Sequence, residues 1–407
     1  MNKVNVIGLG YIGLPTAALL ANRGFEVRGV DLNQDVLATV NLGKIHIVEP
    51  GLESYVKSAV DNGKLVACSE PGPADVSLIC VPTPFCGDGE IPMPDMQYLE
   101  AATDSLAPFL KAGDILIIES TSPVGTTEMI EKRLAALDVD ITGLSIAYCP
   151  ERILPGNVIH ELVHNDRVIG GLTPTATAEA KTFYGTFVKG EILGTDARTA
   201  ELCKLTENSF RDVNIAFANE LSLICSSLGI DVWELVKLSN HHPRVDILQP
   251  GPGVGGHCIA VDPWFIVSSD PANARLIRTS RQINDYKSNW VIDQIKIAAG
   301  EAANKIDRSP VIACLGLAFK PDIDDLRESP AEKIARSLKT QGFTVLFVEP
   351  NISEHGELTL TKIDEALEQA DVIAVLVQHS AFRQPQLVQE LRDRGALDFC
   401  GLLATVN

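Results

Sequence analysis

The sequence predicts an α/β protein of two doubly wound domains with parallel sheets, joined by a central helical domain that contains a long helix. Three observations carry this expectation. Short apolar runs alternate with helix-length segments in the first part of the chain. A stretch from Asp196 to Leu228 then contains neither glycine nor proline. Apolar runs return after about residue 305 and echo the first set. The expected division is 1–195 for a first domain, 196–304 for the helical middle and 305–407 for the last.

Taken in order, "VNVIGLG", "FEVRGVD", "VSLICVP", "ILIIES" and "LSIAYCP" are short runs rich in apolar residues. Strands of that kind belong to parallel sheets covered on both faces. The segment from Asp196 to Leu228 predicts one long helix, stopped by Gly229. Such a helix between two α/β units suits a domain connector and the core of a homodimer. The later runs "VIACLGLAF", "FTVLFVEP" and "DVIAVLVQ" repeat the opening theme. "GFEVRGVD" (24–31) matches "GFTVLFVE" (342–349), and "ADVSLICVPTP" (74–84) resembles "ADVIAVLVQHS" (370–380). Both outer domains are therefore expected to be Rossmann-like.

Composition narrows the function. A net charge of -19 repels polyphosphate and disfavours nucleic acid or an anionic membrane as partner. An anionic ligand must then be met by a local cluster of lysine and arginine. Nine cysteines include no C-x-x-C pair, so neither a zinc ribbon nor a thioredoxin-type site is indicated, and no metal is expected. A strand-like run begins at once, and no apolar run approaches the roughly 18 residues of a membrane span. A cytoplasmic location is the expectation, with most cysteines acting as small buried hydrophobes.

The dinucleotide signal lies in "VIGLGYIG". Gly8, Gly10 and Gly13 have G-x-G-x-x-G spacing, with Tyr11 and Ile12 between them, after a strand and before a helix. Glycines permit the tight turn and close approach of a pyrophosphate, which the helix N-terminus attracts. Asp31 ends the next strand and can accept from a ribose diol while repelling a 2′-phosphate, so NAD is expected over NADP. Thr83 and Thr121 close later parallel strands, where ligands bind.

Two further features carry chemistry. Lys204, Asn208 and Arg211 fall at i, i+4 and i+7, one polar stripe on an otherwise apolar helix. An ammonium and a carboxamide there can hold a developing oxyanion. "GPGVGGHCIAVDPW" (251–264) is a shaped loop, and a core cysteine has no place at its hydrophilic tip, so Cys258 is a candidate nucleophile. His257 beside it offers a Cys–His pair, although sequence neighbours usually point apart.

With these motifs, "AELCKLTENSFRDVNIAFANEL", "ESTSPVG", "YCPERILPG" and "GLAFKPDIDDLRESP" resemble the motif set of the UDP-glucose/GDP-mannose dehydrogenase family, in family order. The resemblance implies oxidation of C6 of a nucleotide sugar from alcohol to carboxylate, with two NAD+ used in succession, for surface polysaccharide precursors. By resemblance Cys258 is the nucleophile, Lys204 and Asn208 stabilise oxyanions, Asp262 and Thr121 position or activate water, and Glu151 is a base for thioester hydrolysis. Arg152, Ile153, Arg211, His242, Arg244 and Gly255 match substrate-contacting positions. Phe319 and Lys320 are expected on the nucleotide sugar and Arg327 on NAD, with an ion pair to Asp324 or Asp325 as the plain alternative for Arg327.

Ala260 stands where many relatives acting on other sugars carry proline, which makes UDP-N-acetyl-D-mannosamine the first expectation for the substrate. UDP-N-acetylglucosamine and UDP-glucose are the alternatives. Asp246 adds a negative charge where close relatives have asparagine, and Cys400 replaces a common basic residue. A substrate-contacting arginine expected near the C-terminus has no counterpart. Two other classes compete. A two-electron β-hydroxyacid dehydrogenase would tolerate loss of Cys258, and a non-catalytic nucleotide-sugar sensor would bind without turnover.

Overall fold

A computed structural model of the 407-residue chain describes all of it except residues 87–90, 154–155, 257 and 405–407. His257 and the last three residues of the closing segment therefore lie outside the described residues. The chain divides into two units, Met1–Glu207 and Asn208–Asn407.

The first unit begins with β1 (Lys3–Ile7), α1 (Gly13–Asn22), β2 (Glu26–Val30), α2 (Gln34–Asn41), α3 (Leu52–Asp61), β3 (Leu65–Cys68) and β4 (Val76–Ile79). A small ladder of β5 (Phe85–Cys86) and β6 (Met93–Pro94) follows, then α4 (Gln97–Leu106), β7 (Ile115–Ile118), α5 (Thr126–Ala136) and β8 (Ser145–Tyr148). The unit continues through α6 (Val158–His164), β9 (Arg167–Gly171), α7 (Pro174–Tyr184) and β10 (Ile192–Asp196) into α8 (Ala197–Leu228). The main sheet has the order β10-β9-β8-β7-β4-β1-β2-β3. It is parallel from β3 to β8, while β9 joins β8 antiparallel and β10 runs with β9.

Alternation along the strands explains the double covering. Val4 and Val6 enter one core, with Leu19 and Leu20 of α1 and Val56 of α3. Ile7 enters the other, with Leu99 of α4 and Ile130 of α5. Asn5 interrupts the run on that second face without an unmet amide, because its Nδ2 donates to Gly72 O at 2.7 Å and Ser77 Oγ at 3.2 Å. The switch of winding direction lies between β1 and β4, where ligands of doubly wound sheets bind.

The 32-residue helix α8 meets the expectation of one long helix, and Gly229 at φ 69° ends it. The second unit continues with α9 (Val232–Ser239), α10 (Asp262–Ser269), α11 (Arg275–Ala303), β11 (Val311–Leu315) and α12 (Pro330–Thr340). It closes with β12 (Thr344–Val348), α13 (Ile363–Gln369), β13 (Val372–Val375), α14 (Pro385–Asp393) and β14 (Leu397–Asp398). Its sheet is parallel, in the order β12-β11-β13-β14. Ile312 and Cys314 face a core shared with α11 and α12, and Ala313 and Leu315 face one shared with α13 and α14. "ESPAE" sets the start of α12: Ser329 accepts from Glu332 N, and Pro330 occupies the first helical position.

Candidate active site

In the first unit, Gly8 leaves β1 at φ 92°, and a side chain there would stand 2.8 Å from Cys80 O. At Gly13, the first residue of α1, an added Cβ would lie 1.8 Å from Gly8 O. Gly10 is different, because open space lies where its side chain would be. Tyr11 is 38% exposed beside it, and Ile12 precedes α1 without any side chain capping the helix. Asp31 is half-buried, with Oδ2 accepting from Leu9 N and Oδ1 from Asn33 N, both at 2.9 Å. An uncapped helix N-terminus, an open glycine and a carboxylate with lone pairs to spare fit NAD. The fit favours a ribose diol over a 2′-phosphate, since a second anion beside Asp31 would be repelled.

Thr83 and Thr121 meet at the ends of neighbouring strands, where Thr83 Oγ1 donates to Thr121 O at 2.6 Å. Glu201, near the start of α8, accepts from Gly125 N (2.6 Å), Thr127 N (2.7 Å) and Thr127 Oγ1 (2.6 Å). It supplies the cap that Gly125 cannot give α5, and so ties the Thr121 loop to the long helix. Burial pushes the Glu201 carboxyl up, against these three donors.

Glu151 is 7% exposed and pairs with Arg167, itself 1% exposed, at 2.7 Å. Its other oxygen accepts from Arg152 N at 2.6 Å. Beneath it Glu119 accepts from Tyr184 Oη at 2.5 Å and Cys80 Sγ at 3.2 Å. Burial pushes the Glu119 carboxyl up, and pushes the nearby Cys149 thiol up to about 12. The structure thus sets Glu151 in a buried ionic cluster that its sequence neighbourhood does not reveal. Arg152 pairs with Glu207 at 2.7 Å, Ile153 packs on the first core, and Lys204 is half-buried on α8.

In the second unit, Asn208 and Asp262 come together although 54 residues apart. Asn208 Nδ2 donates to Asp262 Oδ2 at 2.6 Å, and Asp262 is 2% exposed at the start of α10. The turn into α10 begins at Cys258, whose carbonyl accepts from Asp262 N at 2.9 Å. Cys258 is exposed. The loop before it is shaped by close approach: a Cβ on Gly255 would lie 2.6 Å from Glu328 O and 2.9 Å from Phe319 Cβ. On Gly256, at φ 81°, it would meet the Phe319 ring at 3.0 Å.

A buried polar seam between α8 and α11 anchors the start of this loop. Gly251 N donates to Asn219 Oδ1 (2.9 Å), and Asn219 Nδ2 to Asn284 Oδ1 (2.8 Å). Asn284 Nδ2 donates to Asp212 Oδ1 (2.8 Å), which also pairs with Arg281 (2.7 Å). Sequence reasoning missed this seam, since each polar residue lies alone in a helical pattern.

Arg211, His242, Arg244 and Lys320 are exposed, and His242 Nδ1 accepts from Arg244 N at 3.3 Å. Arg327 forms a two-pronged ion pair with Asp325, at 2.9 and 2.6 Å, the plain alternative the sequence offered. Among the described residues no group of histidine, cysteine, aspartate or glutamate is arranged to hold a metal ion, and no helix is long and apolar enough to cross a membrane.

Comparison with known proteins agrees with this layout. Residues 2–188 match the NAD binding domain of the UDP-glucose/GDP-mannose dehydrogenase family, 198–286 its central domain and 313–404 its UDP binding domain. UDP-N-acetyl-D-mannosamine dehydrogenase of Escherichia coli (strain K12) is 57% identical, covering 93% of this chain and 94% of its own. NDP-N-acetyl-D-galactosaminuronic acid dehydrogenase of Ralstonia nicotianae is 52% identical, covering 98% and 96%. The structure of UDP-D-ManNAc dehydrogenase from Pyrococcus horikoshii aligns with TM-score 0.87 at 37% identity, covering 98% and 96%. The chain belongs to the UDP-glucose/GDP-mannose dehydrogenase family and is an NAD-dependent dehydrogenase of a UDP-sugar.

Proposed function

We propose that the chain oxidises C6 of UDP-N-acetyl-D-mannosamine to the carboxylate in two hydride transfers, with Cys258 holding the carbon between them. The carrying observation is the turn from Cys258 into α10, which sets an exposed thiol ahead of a buried carboxylate, Asp262, hydrogen-bonded to Asn208. NAD+ held at Gly8, Gly10, Gly13 and Asp31 would supply the hydride acceptor for each oxidation. The Cys258 thiolate adds to the C6 aldehyde, forming a C–S bond and a thiohemiacetal. Loss of the second hydride and of the hydroxyl proton leaves a thioester. Water then breaks the C–S bond, releasing the carboxylate and restoring the thiol. Lys204 and Asn208, one turn apart on α8, donate to the oxyanions, and the second N–H of the Asn208 amide remains for that task. Asp262 and Thr121 orient water, and Glu151 accepts its proton in the hydrolysis.

Remaining assignments follow the same reading. Gly8, Gly10, Tyr11, Ile12, Gly13, Asp31, Thr83 and Arg327 serve NAD, whereas Arg152, Ile153, Arg211, His242, Arg244, Gly255, Phe319 and Lys320 serve the sugar nucleotide. The three matched domains support the division at about residues 195 and 304. Nine cysteines with no C-x-x-C pair among them support a reducing, cytoplasmic compartment. Phe210, Phe217 and Ile224 recur every seven residues along α8 and are 69%, 52% and 46% exposed, which supports a homodimer closed over that stripe. Light scattering should give twice the chain mass, and a monomer at micromolar concentration would refute the dimer.

The decisive assay counts NADH per sugar, with UDP-N-acetylmannosamine, UDP-N-acetylglucosamine, UDP-glucose and an N-acetylgalactosamine nucleotide side by side. Two NADH per sugar and a carboxylate product are expected, with preference for the first substrate. One NADH and a released aldehyde would overturn the mechanism. The 52% identical galactosaminuronate relative favours the N-acetylgalactosamine series as the second reading.

A further inference from the structure

The second unit repeats the turn and the acid contact of the first unit's dinucleotide crevice, and then closes it. Gly8 N donates to Val30 O at 2.7 Å, and Gly316 N to Val348 O at 2.8 Å. The two glycines share φ values of 92° and 87°. Leu9 N reaches Asp31 Oδ2 at 2.9 Å, and Leu317 N reaches Glu349 Oε2 at 2.7 Å. There the likeness ends.

Asp31 stands half-buried near an open glycine. The Glu349 side chain is 0% exposed and crowded with donors. Its Oε2 also accepts from Ala318 N (3.0 Å) and His379 Nε2 (3.1 Å), and its Oε1 from Asn351 N (3.0 Å) and Asn351 Nδ2 (3.3 Å). Burial pushes this carboxyl up, but hydrogen bonds from His379, Leu317 and Asn351 outweigh it and hold it below its ordinary value. A ribose finds no lone pair left to bind.

His379 occupies the place in the repeat that Thr83 holds in the first unit, and its side chain is 0% exposed. Asp322 N donates to its Nδ1 at 2.9 Å, so the imidazole proton resides on Nε2, aimed at Glu349. Asp322, at φ 60°, is gripped in turn by Ser380 N (2.7 Å) and Ser380 Oγ (2.6 Å). The chain is thereby fastened at Leu317–Ala318 and again at Asp322. Phe319 and Lys320 lie between the two fastenings, and Phe319 is the wall against which Gly255 (at its Cβ) and Gly256 (at its ring) pack, just ahead of Cys258.

We propose that Glu349 and His379 are positioning residues for the UDP-sugar: a crevice inherited from a dinucleotide fold has become a clamp that fixes Phe319 and Lys320 and, through Phe319, the backbone leading to Cys258. This rests on the reading of Phe319 and Lys320 as nucleotide-sugar contacts.

The test compares His379→Ala and Ser380→Ala with the wild-type chain, using UDP and NAD+ titrations and steady-state kinetics. Ser380→Ala removes one hydroxyl at the exposed end of the clamp and leaves the core intact, so it remains informative if His379→Ala does not fold. His379→Ala should weaken UDP binding and raise KM for the UDP-sugar about tenfold, and Ser380→Ala about threefold, each with NAD+ affinity unchanged. His379→Gln, which keeps a donor toward Glu349, should recover part of the loss. UDP affinity within twofold of wild type in both alanine variants would overturn the clamp, as would equal losses for UDP and NAD+. Wild-type chain that binds no UDP would instead overturn the reading of the loop on which the clamp depends.

Discussion

Replacing Lys287 by methionine should make the second unit more stable at neutral pH, and the gain should shrink as pH rises. Lys287 lies on α11, 3% exposed, with Nζ donating to Ser222 Oγ at 2.6 Å and standing 4.1 Å from the Trp290 ring centroid. Burial pushes its pKa down to about 8 from an ordinary 10.5. The sign follows from proton counts. Between these two values the unfolded chain binds more protons than the folded one, so this lysine makes stability rise with pH across that window. Below it both states are protonated, and the folded state bears the full penalty, about 3 kcal/mol at 1.36 kcal/mol per unit.

At pH 9.5 about 1 kcal/mol of that penalty remains, so about 2 kcal/mol separates pH 7 from pH 9.5. Methionine removes the penalty but also the hydrogen bond to Ser222 and the cation–π contact, each worth about 1 kcal/mol. The informative quantity is therefore the stability difference between Lys287→Met and wild type as a function of pH. Urea unfolding followed by tryptophan fluorescence measures it, and groups common to both proteins cancel. A difference constant to about 0.5 kcal/mol over the window would refute the desolvated charge. The outcome bears on the site, because Ser222 donates to Asn219 O and Asn219 receives the amide that begins the cysteine loop.

Three further outcomes follow. Cys258→Ala should lower NADH formation roughly 1,000-fold without shifting thermal unfolding, since the thiol is exposed; turnover near wild type would return the chain to the two-electron class. Asp31→Ala should raise KM for NAD+ about tenfold and erase discrimination against NADP+, read from initial rates with each cofactor. Glu151→Gln should destabilise the first unit by about 3 kcal/mol as well as slow hydrolysis, because it strips Arg167 of its buried partner; calorimetry with an unmoved first transition would refute the pairing.

The parts of this molecule legible from sequence are those written in local patterns. The apolar strand runs, the helix free of glycine and proline, and the Gly8–Asp31 spacing each sit within one or two elements. Strand direction was not legible: "RVIGG" looks the same whichever way β9 runs beside β8. Nor was the pairing of Glu151 with Arg167, or of Asn208 with Asp262, since nothing in a helical or strand period links residues so far apart.

Glu349 and His379 form an intermediate case. The repeats pairing 24–31 with 342–349 and 74–84 with 370–380 align them with Asp31 and Thr83. What the alignment hides is that one added methylene and one imidazole fill the second crevice. The skeleton of glycine, acid and strand end is shared, so a repeat argument recovers the backbone of both units. The use of each crevice depends on whether the acid keeps an open lone pair, and that is decided by side-chain donors arriving from other strands. A repeat in sequence therefore warrants the fold of the second unit but not its ligand. The difference between Asp31 and Glu349 is the physical point at which one fold serves two tasks in this chain.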